Sequence, residues 1–142
     1  MERRMIMVDN IFFFLKPKEQ TSFFFSNLSI QDGLDYLRQH SFTIMPVITP
    51  EGHYIGSISE GDFLWYSLSH NAPYVQDTLK HLVRKDFIPA CNINVDTETL
   101  FAQSLKQNYV PIVDDRNIFI GLVTRQSILK YLMENNQLDN HS

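Results

Sequence analysis

The sequence predicts an α/β (α+β) fold made of two β-α-β-β-α repeats that pack on each other. The first observation is an internal duplication, in which five residues recur without a gap at a constant offset of 65 positions. The matched pairs are Pro46 with Pro111, Val47 with Ile112, Gly56 with Gly121, Ser59 with Thr124, and Leu64 with Leu129. The second observation is that each copy, at 45–68 and 109–132, reads as strand, polar turn, strand and capped helix. The third is that 142 residues with 44% apolar content suffice for one domain or two small packed halves.

The first repeat is predicted at residues 16–70, after an N-terminal extension at 1–15 whose apolar segment packs on the body of the protein. Its predicted elements are a strand at 22–25, a helix at 30–39, strands at 43–48 and 54–57, and a helix at 60–68. Ser29 suits the N-cap of the first helix because its hydroxyl accepts a hydrogen bond from an unpaired backbone N–H. Ile30, Leu34 and Leu37 recur at i, i+4 and i+7, which predicts a buried stripe on this helix.

The second repeat is predicted at residues 71–136, including a linker helix, and a polar tail follows at 137–142. Its predicted elements are the linker helix at 74–84, a strand at 92–95, a helix from Asp96 or Thr97 to Gln107, strands at 109–113 and 119–123, and a helix that ends near Tyr131 or Leu132. Pro73 suits the start of the linker helix because proline lacks the N–H that a first helical residue leaves unpaired. The order of elements therefore matches that of the first repeat.

Composition and charge exclude several classes of function. The net charge of −4 and the absence of a Lys/Arg run argue against nucleic-acid binding, which needs a basic surface. A single cysteine excludes an internal disulfide framework and a cysteine zinc cluster, and the five histidines lack the i, i+4 spacing of a helical metal site. No apolar run reaches the roughly 20 residues of a membrane span. We expect a soluble cytoplasmic protein without a metal and without membrane or nucleic-acid partners.

The sequence also predicts that the protein is not an enzyme. Cys91 has no histidine nearby in sequence, and the paired acids Asp114 and Asp115 fall in a hairpin turn, where Asp is expected for turn chemistry. No glycine-rich phosphate loop of the P-loop or Rossmann kind is present. No nucleophile with a base, pair of catalytic carboxylates or metal site therefore emerges, and no catalytic residue is predicted.

The duplicated motifs resemble those of the CBS-domain family. Both MPVITPEGHYIGSISEGDFLWYSL and VPIVDDRNIFIGLVTRQSILKYL show its hydrophobic-Pro-hydrophobic strand, its Gly in the next strand and its Ser or Thr at the start of the last helix. In the first copy, Ser59 and Asp62 also match the family's S-x-x-D ribose-binding signature. From about residue 16 to residue 131 the chain resembles a tandem CBS pair, or Bateman module, and is similar to stand-alone bacterial CBS-pair proteins.

The resemblance implies a regulatory module that binds an adenine-containing ligand in a cleft between the repeats, which a pseudo-twofold axis relates. The implied ligands are AMP, ADP, ATP, S-adenosylmethionine or cyclic di-AMP, and nothing in the sequence chooses among them. The base would lie against the strand before each conserved proline, and the sugar against the Ser/Thr hydroxyl and the Asp carboxylate. Carried onto this chain, the implied contacts are Thr43, Ile44, Met45, Pro46, Ser59 and Asp62 in the first repeat, and Tyr109, Val110, Pro111, Thr124 and Ser127 in the second.

Three of these residues also have a structural explanation that needs no ligand. Ser59 suits the N-cap of the helix that follows it, and Asp62 in the first turn favours the same end of the helix dipole. Thr124 is equally suited to cap the equivalent helix of the second repeat. In that repeat Ser127 stands where the family has Asp, which leaves the second ribose contact open.

A phosphate site is predicted at Arg125, directly after Thr124. A guanidinium fits phosphate oxygens bidentately, whereas the equivalent residue of the first repeat, Glu60, is acidic and would repel them. The hypothesis is one site, with the sugar on Asp62 and the phosphate on Arg125, and the alternative is that Arg125 is an ordinary surface residue. Arg84 and Lys85 are further phosphate candidates.

The resemblance also implies a homodimer and an unidentified effector protein. CBS pairs commonly dimerise through their last helices, where this chain has Trp65 and Tyr66, and aromatic residues are enriched at such surfaces. The alternative function is a dimerisation or interaction scaffold that keeps the CBS-pair fold with a decayed ligand site. Ser127 in place of Asp, and Glu60 near Asp62, favour that alternative.

Overall fold

The computed structural model describes residues 11–41, 43–69 and 77–141, with the backbone alone for 135–141. It confirms a mixed α/β fold with two small sheets and four α-helices over these residues. The strands are β1 Leu15–Pro17, β2 Phe24–Phe25, β3 Ile44–Ile48, β4 Tyr54–Ser59, β5 Cys91–Asn92, β6 Tyr109–Val113 and β7 Phe119–Thr124. The α-helices are α1 Ile30–Gln39, α2 Glu60–Ser69, α3 Thr97–Ser104 and α4 Arg125–His141. Short 3₁₀ helices lie at Ile11–Phe13, Lys18–Gln20 and Leu79–His81.

One compact unit comprises Ser22–Pro89 and contains the three-stranded sheet in the order β2-β3-β4. Strand β2 is parallel to β3, and β3 is antiparallel to β4. Helix α1 occupies the predicted residues, and the Ser29 cap is confirmed because its Oγ accepts from the Asp32 N–H at 3.0 Å. Removal of apolar side chains from water holds this unit together. Its buried core includes Phe24, Ile30, Met45, Val47, Ile58, Phe63 and Leu79.

The other compact unit combines residues 11–21 with 90–141 and contains the four-stranded sheet in the order β1-β7-β6-β5. Strand β1 is antiparallel to β7, and β5 is parallel to β6. Asp96 caps α3 by accepting from the Thr99 N–H at 2.6 Å. Hydrogen bonds with the side chain and then the backbone of Thr99 lower the pKa of the Asp96 carboxyl. The expected packing of the N-terminal apolar segment is confirmed by the buried Ile11 and Phe14.

The sequence duplication reappears as identical strand pairing in the two sheets. Ile44 pairs with Ser59 as Tyr109 pairs with Thr124, and the register of each hairpin shifts at the same place. Gly56 and Gly121 share positive φ angles of 148° and 158°. A Cβ on Gly56 would meet the main-chain oxygen of Arg84, and one on Gly121 would meet that of Lys16. Both glycines are therefore required by the close approach of another backbone.

The predicted linker helix at 74–84 is wrong for its described residues, 77–84, which contain only the 3₁₀ turn Leu79–His81. The reason is that the backbone groups of this segment bond to distant residues instead of to one another. The Leu79 and Lys80 N–H groups donate to Leu28 and Ser26, and Arg84 exchanges hydrogen bonds with Ser57. Residues 74–76 lie outside the described part of the chain.

The last helix was predicted to end near Tyr131 or Leu132, but α4 continues to His141 and includes most of the predicted polar tail. The segment after Leu132 contains neither Gly nor Pro, the two residues that most often stop a helix.

The predicted repeats and the compact units of the structure divide the chain at different residues. The repeat boundaries were predicted from the sequence duplication, whereas each compact unit is defined by which residues pack together. Residues 77–89 consequently belong to the unit of the first hairpin, and β1 pairs in the sheet of the second.

Candidate functional site

Ser59 and Asp62 form a reciprocal hydrogen-bonded pair where β4 meets α2. The Ser59 N–H donates to Asp62 Oδ2 at 2.8 Å, and the Asp62 N–H donates to Ser59 Oγ at 3.2 Å. The Ser59 hydroxyl also donates to Asp62 Oδ2, at 3.0 Å. This is the geometry of a capping box, with Asp in place of the usual Glu or Gln, and it satisfies N–H groups at the start of the helix. The carboxylate that the family resemblance assigns to a ribose is thereby held in a fixed orientation.

Arg84, which the sequence analysis names as a phosphate candidate, is part of this cluster, and its pairing with Asp62 was not predicted. Its Nε lies 3.0 Å from Asp62 Oδ1 and 3.3 Å from Oδ2, and its Nη2 lies 3.3 Å from Ser59 Oγ. One face of the guanidinium is covered by the Phe87 ring, whose centroid is 3.7 Å from Cζ. The Arg84 side chain is half-exposed, whereas Asp62 is largely buried. The cation neutralises Asp62 and occupies oxygens that a ligand would use.

The structure brings the other predicted residues of the first repeat beside this cluster. Ile44 pairs with Ser59 across the hairpin, and the Glu60 N–H donates to the Thr43 carbonyl at 2.9 Å. Thr43 is exposed, Ile44 is half-buried, and Met45 and Pro46 are buried. Of these four residues, Thr43 and Ile44 are therefore the two that solvent reaches.

The second repeat lacks the carboxylate but keeps the geometry. Thr124 Oγ1 lies 2.9 Å from Ser127 Oγ and accepts from the Ser127 N–H at 3.1 Å, as Ser59 does with Asp62. Tyr109 pairs with Thr124, and Tyr109, Val110 and Pro111 are all buried. The two hydroxyls can hydrogen-bond to a sugar, but no fixed negative charge stands at this helix start.

Arg125 contacts the end of α3. Its Nε donates to the Ser104 carbonyl at 2.7 Å, and its Nη2 donates to the Leu105 carbonyl at 3.3 Å. These carbonyls belong to the unpaired C-terminal turn of a helix, where a cation is favourable. A phosphate on Arg125 would share the guanidinium with these contacts, and a phosphate role for Arg125 stays a prediction.

Two cavities adjoin the predicted sugar positions. One of about 410 Å³ is lined by Asp62, Trp65, Tyr66, Asp77, His81 and Leu82. Its two carboxylates favour hydroxyl donors over phosphate. The other, of about 490 Å³, places Lys16 and Lys130 near Ser127 and is more basic.

The predicted dimer surface at Trp65 and Tyr66 has different outcomes for the two residues. Trp65 is 68% exposed, as a partner surface requires. The expectation that Tyr66 faces a partner is wrong, because this residue is buried in the core of its own unit.

Two titratable side chains are buried in positions that suppress their reactivity. Burial raises the pKa of Tyr54 to about 12, and its hydroxyl donates to the Ile88 carbonyl at 2.6 Å. Burial also raises the pKa of the Cys91 thiol, which keeps it protonated and a poor nucleophile at neutral pH.

Among the described residues, no group of three His, Cys, Asp or Glu side chains is placed to hold a metal ion. In the same part of the chain, no helix has the length and apolarity to cross a membrane.

Comparison with known proteins identifies relatives of this arrangement. A family model described as CBS domain matches residues 23–69 and, a second time, residues 66–134. No curated protein matches the sequence. A crystal structure of CbpB in complex with c-di-AMP is 23% identical, with a TM-score of 0.89 over 99% of this chain and 96% of that chain. CbpB from Streptococcus agalactiae is 24% identical, with a TM-score of 0.82 over 96% and 86%. A structure of CBSX2 in complex with AMP is 19% identical, with a TM-score of 0.67 over 87% and 95%. These likenesses show a shared fold.

Proposed function

The chain belongs to the CBS-domain family, with the domain present twice, and we propose that it is a regulatory module that binds an adenine nucleotide through Ser59 and Asp62. The observation that carries this proposal is the preorganised Asp62 carboxylate, which lies beside a cavity at the start of α2. A carboxylate has two acceptor oxygens, which suits the two hydroxyls of a ribose. Thr43, Ile44, Met45 and Pro46, on the adjacent strand, are the proposed contacts of the base.

Binding of a ribose would require Arg84 to release Asp62. Asp62 Oδ2 already accepts from Ser59 and Arg84, and Oδ1 contacts Arg84 as well. A ribose diol therefore competes with the guanidinium for the carboxylate. Such partly exposed ion pairs contribute little stability, about 0–1 kcal/mol, so a ligand can displace Arg84 without a large penalty.

The proposed ligands are AMP, ADP, ATP, cyclic di-AMP and S-adenosylmethionine. Structures of the same fold hold c-di-AMP in CbpB and AMP in CBSX2, which supports the adenine class. The second repeat would contribute Tyr109, Val110 and Pro111 to the base, the hydroxyls of Thr124 and Ser127 to the sugar, and Arg125 to a phosphate. Because Ser127 replaces the carboxylate, we expect the stronger sugar contact in the first repeat.

The module would act by signalling and not by catalysis. A ligand changes a conformational or dimeric equilibrium only as far as its affinity differs between the two states. The exposed side chains of Leu64, Trp65 and Leu68 on α2 supply an apolar surface for a second copy of the chain. An effector protein would then recognise one state of the dimer.

Thermal unfolding of the purified protein against the five ligands tests this proposal. At about one hundred times its dissociation constant, a ligand that binds only the folded state stabilises it by roughly 2.7 kcal/mol. For a chain of this size, that raises Tm by roughly 5–10 °C. Asp62→Ala should abolish the shift, whereas Asp35→Ala, an exposed carboxylate on α1, should retain it. No shift with any ligand would contradict the sensor and favour the dimerisation scaffold.

A further inference from the structure

A separate cavity in the unit Ser22–Pro89 reaches the β3–β4 turn, at the end of β3 far from Ser59. Its volume is about 720 Å³, within the usual range for small-ligand sites. Ile55 and Val83 supply apolar surface, and Thr49 and Pro50 of the turn contribute a rim. His81 lines both this cavity and the one at Asp62, so it stands between the two.

The cavity is basic although the whole chain has a net charge of −4. Lys80, His81 and Lys85 all line it and are exposed, and Glu51 is the acidic residue of the lining. Within the described residues, neither lysine forms an ion pair. Both ammonium groups are therefore available to an anion from solvent.

The backbone explains why these cations converge. Arg84 pairs with Ser57, and side chains along an extended segment alternate between opposite faces. Arg84 accordingly points to Asp62, while its neighbours Val83 and Lys85 line the cavity. A different contact holds the backbone of Lys80 beside the cavity: its N–H donates to the Ser26 carbonyl at 3.0 Å.

Ser26 adds a hydroxyl to the lining. The residue is 6% exposed, and its N–H donates to the Ile48 carbonyl at 2.8 Å. Its side chain makes no hydrogen bond to any other residue that the structure describes. Asn27, the next residue, also lines the cavity. Since Ser26 Oγ is not a fully buried atom, it can reach a ligand in the cavity.

We propose that this cavity binds the phosphate group of a small organic anion. A phosphate presents several strong acceptor oxygens and a charge near −2, which Lys80, Lys85 and the Ser26 hydroxyl together satisfy. The apolar side chains of Ile55 and Val83 would contact the organic part of the ligand. The site is distinct from the proposed sugar site at Asp62 and does not depend on it.

Titration of the ¹⁵N-labelled full chain with inorganic pyrophosphate, followed by NMR at low salt, tests this site. We expect saturable shifts of the amides of Ser26, Asn27, Lys80 and Lys85, and weaker shifts of the same amides with acetate. Lys80→Ala/Lys85→Ala should weaken binding at least tenfold, whereas Lys106→Ala, an exposed lysine on the other compact unit, should not change it.

Ser26→Ala separates a ligand contact from a structural role. Because its hydroxyl has no partner within the described protein, its removal should leave the unfolding midpoint unchanged while weakening pyrophosphate binding about threefold or more. Asp62→Ala should leave the pyrophosphate shifts unchanged, which distinguishes failure of this site from failure of the sugar site. Absent shifts at these four amides, or shifts of equal strength in the double lysine variant, would overturn the proposal.

Discussion

Tyr54 provides a quantitative test of the core of the unit Ser22–Pro89. Its hydroxyl donates to the Ile88 carbonyl at 2.6 Å and lies 2.8 Å from Ser57 Oγ, and the residue is 7% exposed. Tyr54→Phe removes this hydroxyl, so the buried Ile88 carbonyl loses its hydrogen bond from Tyr54. Leaving a buried polar group unsatisfied is destabilising by about 1–3 kcal/mol, so we expect a loss in this range in urea unfolding at pH 7.

The pH dependence of this loss gives a sharper result. Burial raises the pKa of Tyr54 from 10.0 to about 12 in the folded state, so the folded protein retains this proton after the unfolded chain has lost it. The contribution of the hydroxyl is therefore constant below pH 10 and falls as the pH rises from 10 to about 12. Since one pKa unit corresponds to about 1.4 kcal/mol, the fall amounts to roughly 2–3 kcal/mol.

Subtracting the free energy of unfolding of Tyr54→Phe from that of the wild type at each pH cancels the ionisation of the other tyrosines and lysines. This difference in the free energy of unfolding should be flat from pH 7 to 9.5 and should decline above pH 10. A difference that stays constant to pH 12, or that begins to decline near pH 8, would refute the assignment of a buried, hydrogen-bonded Tyr54.

Three further predictions concern the close backbone approach, the ion pair and the exposed helix. Gly56→Ala should lower the free energy of unfolding by about 1–3 kcal/mol or more in urea unfolding. The backbone has a positive φ at this residue, and the new Cβ would meet the Arg84 carbonyl. Gly61→Ala, whose Cβ would make an ordinary contact on α2, should be neutral or stabilising, and equal losses would contradict this account. Arg84→Ala should tighten AMP binding about two- to fivefold in calorimetry by freeing Asp62, whereas weaker binding would assign Arg84 to the phosphate. Trp65→Asp should shift the protein from dimer to monomer in light scattering, whereas Leu105→Asp, at an exposed apolar residue of the other compact unit, should not. A wild type that is already monomeric would exclude the proposed dimer.

Much of the fold was predictable because its signals are local. Ser29 caps α1 as predicted, because it directly precedes the helical pattern that begins at Ile30 and its hydroxyl reaches the Asp32 N–H. The duplication located both hairpins, because Pro and Gly recur at a fixed offset and the pairing register follows from it. For the same reason, the sequence correctly placed Ser59, Asp62 and Thr124 at the starts of helices.

The parts that could not be predicted depend on residues far apart in the chain. The linker helix predicted at 74–84 is not formed by residues 77–84, because N–H groups of this segment find partners at Ser26, Leu28 and Ser57. Likewise, the pairing of Arg84 with Asp62 joins residues 22 positions apart, and no local rule indicates it. The basic cavity arises in the same way, because it forms only when this segment pairs with β4 instead of forming a helix.

The central claim, a ribose bound on Asp62, is tested most directly by calorimetric titration with AMP and its 2′,3′-dideoxy analogue. Each ligand is measured with the wild type and with Asp62→Asn, which retains a side-chain acceptor for the helix cap but loses the charge. Hydrogen bonds to a charged group contribute about 1.5–3 kcal/mol, so the wild type should bind AMP at least roughly tenfold more tightly than the analogue. In Asp62→Asn the two ligands should bind with nearly equal affinity. A wild type that binds both equally, or neither, would contradict the account.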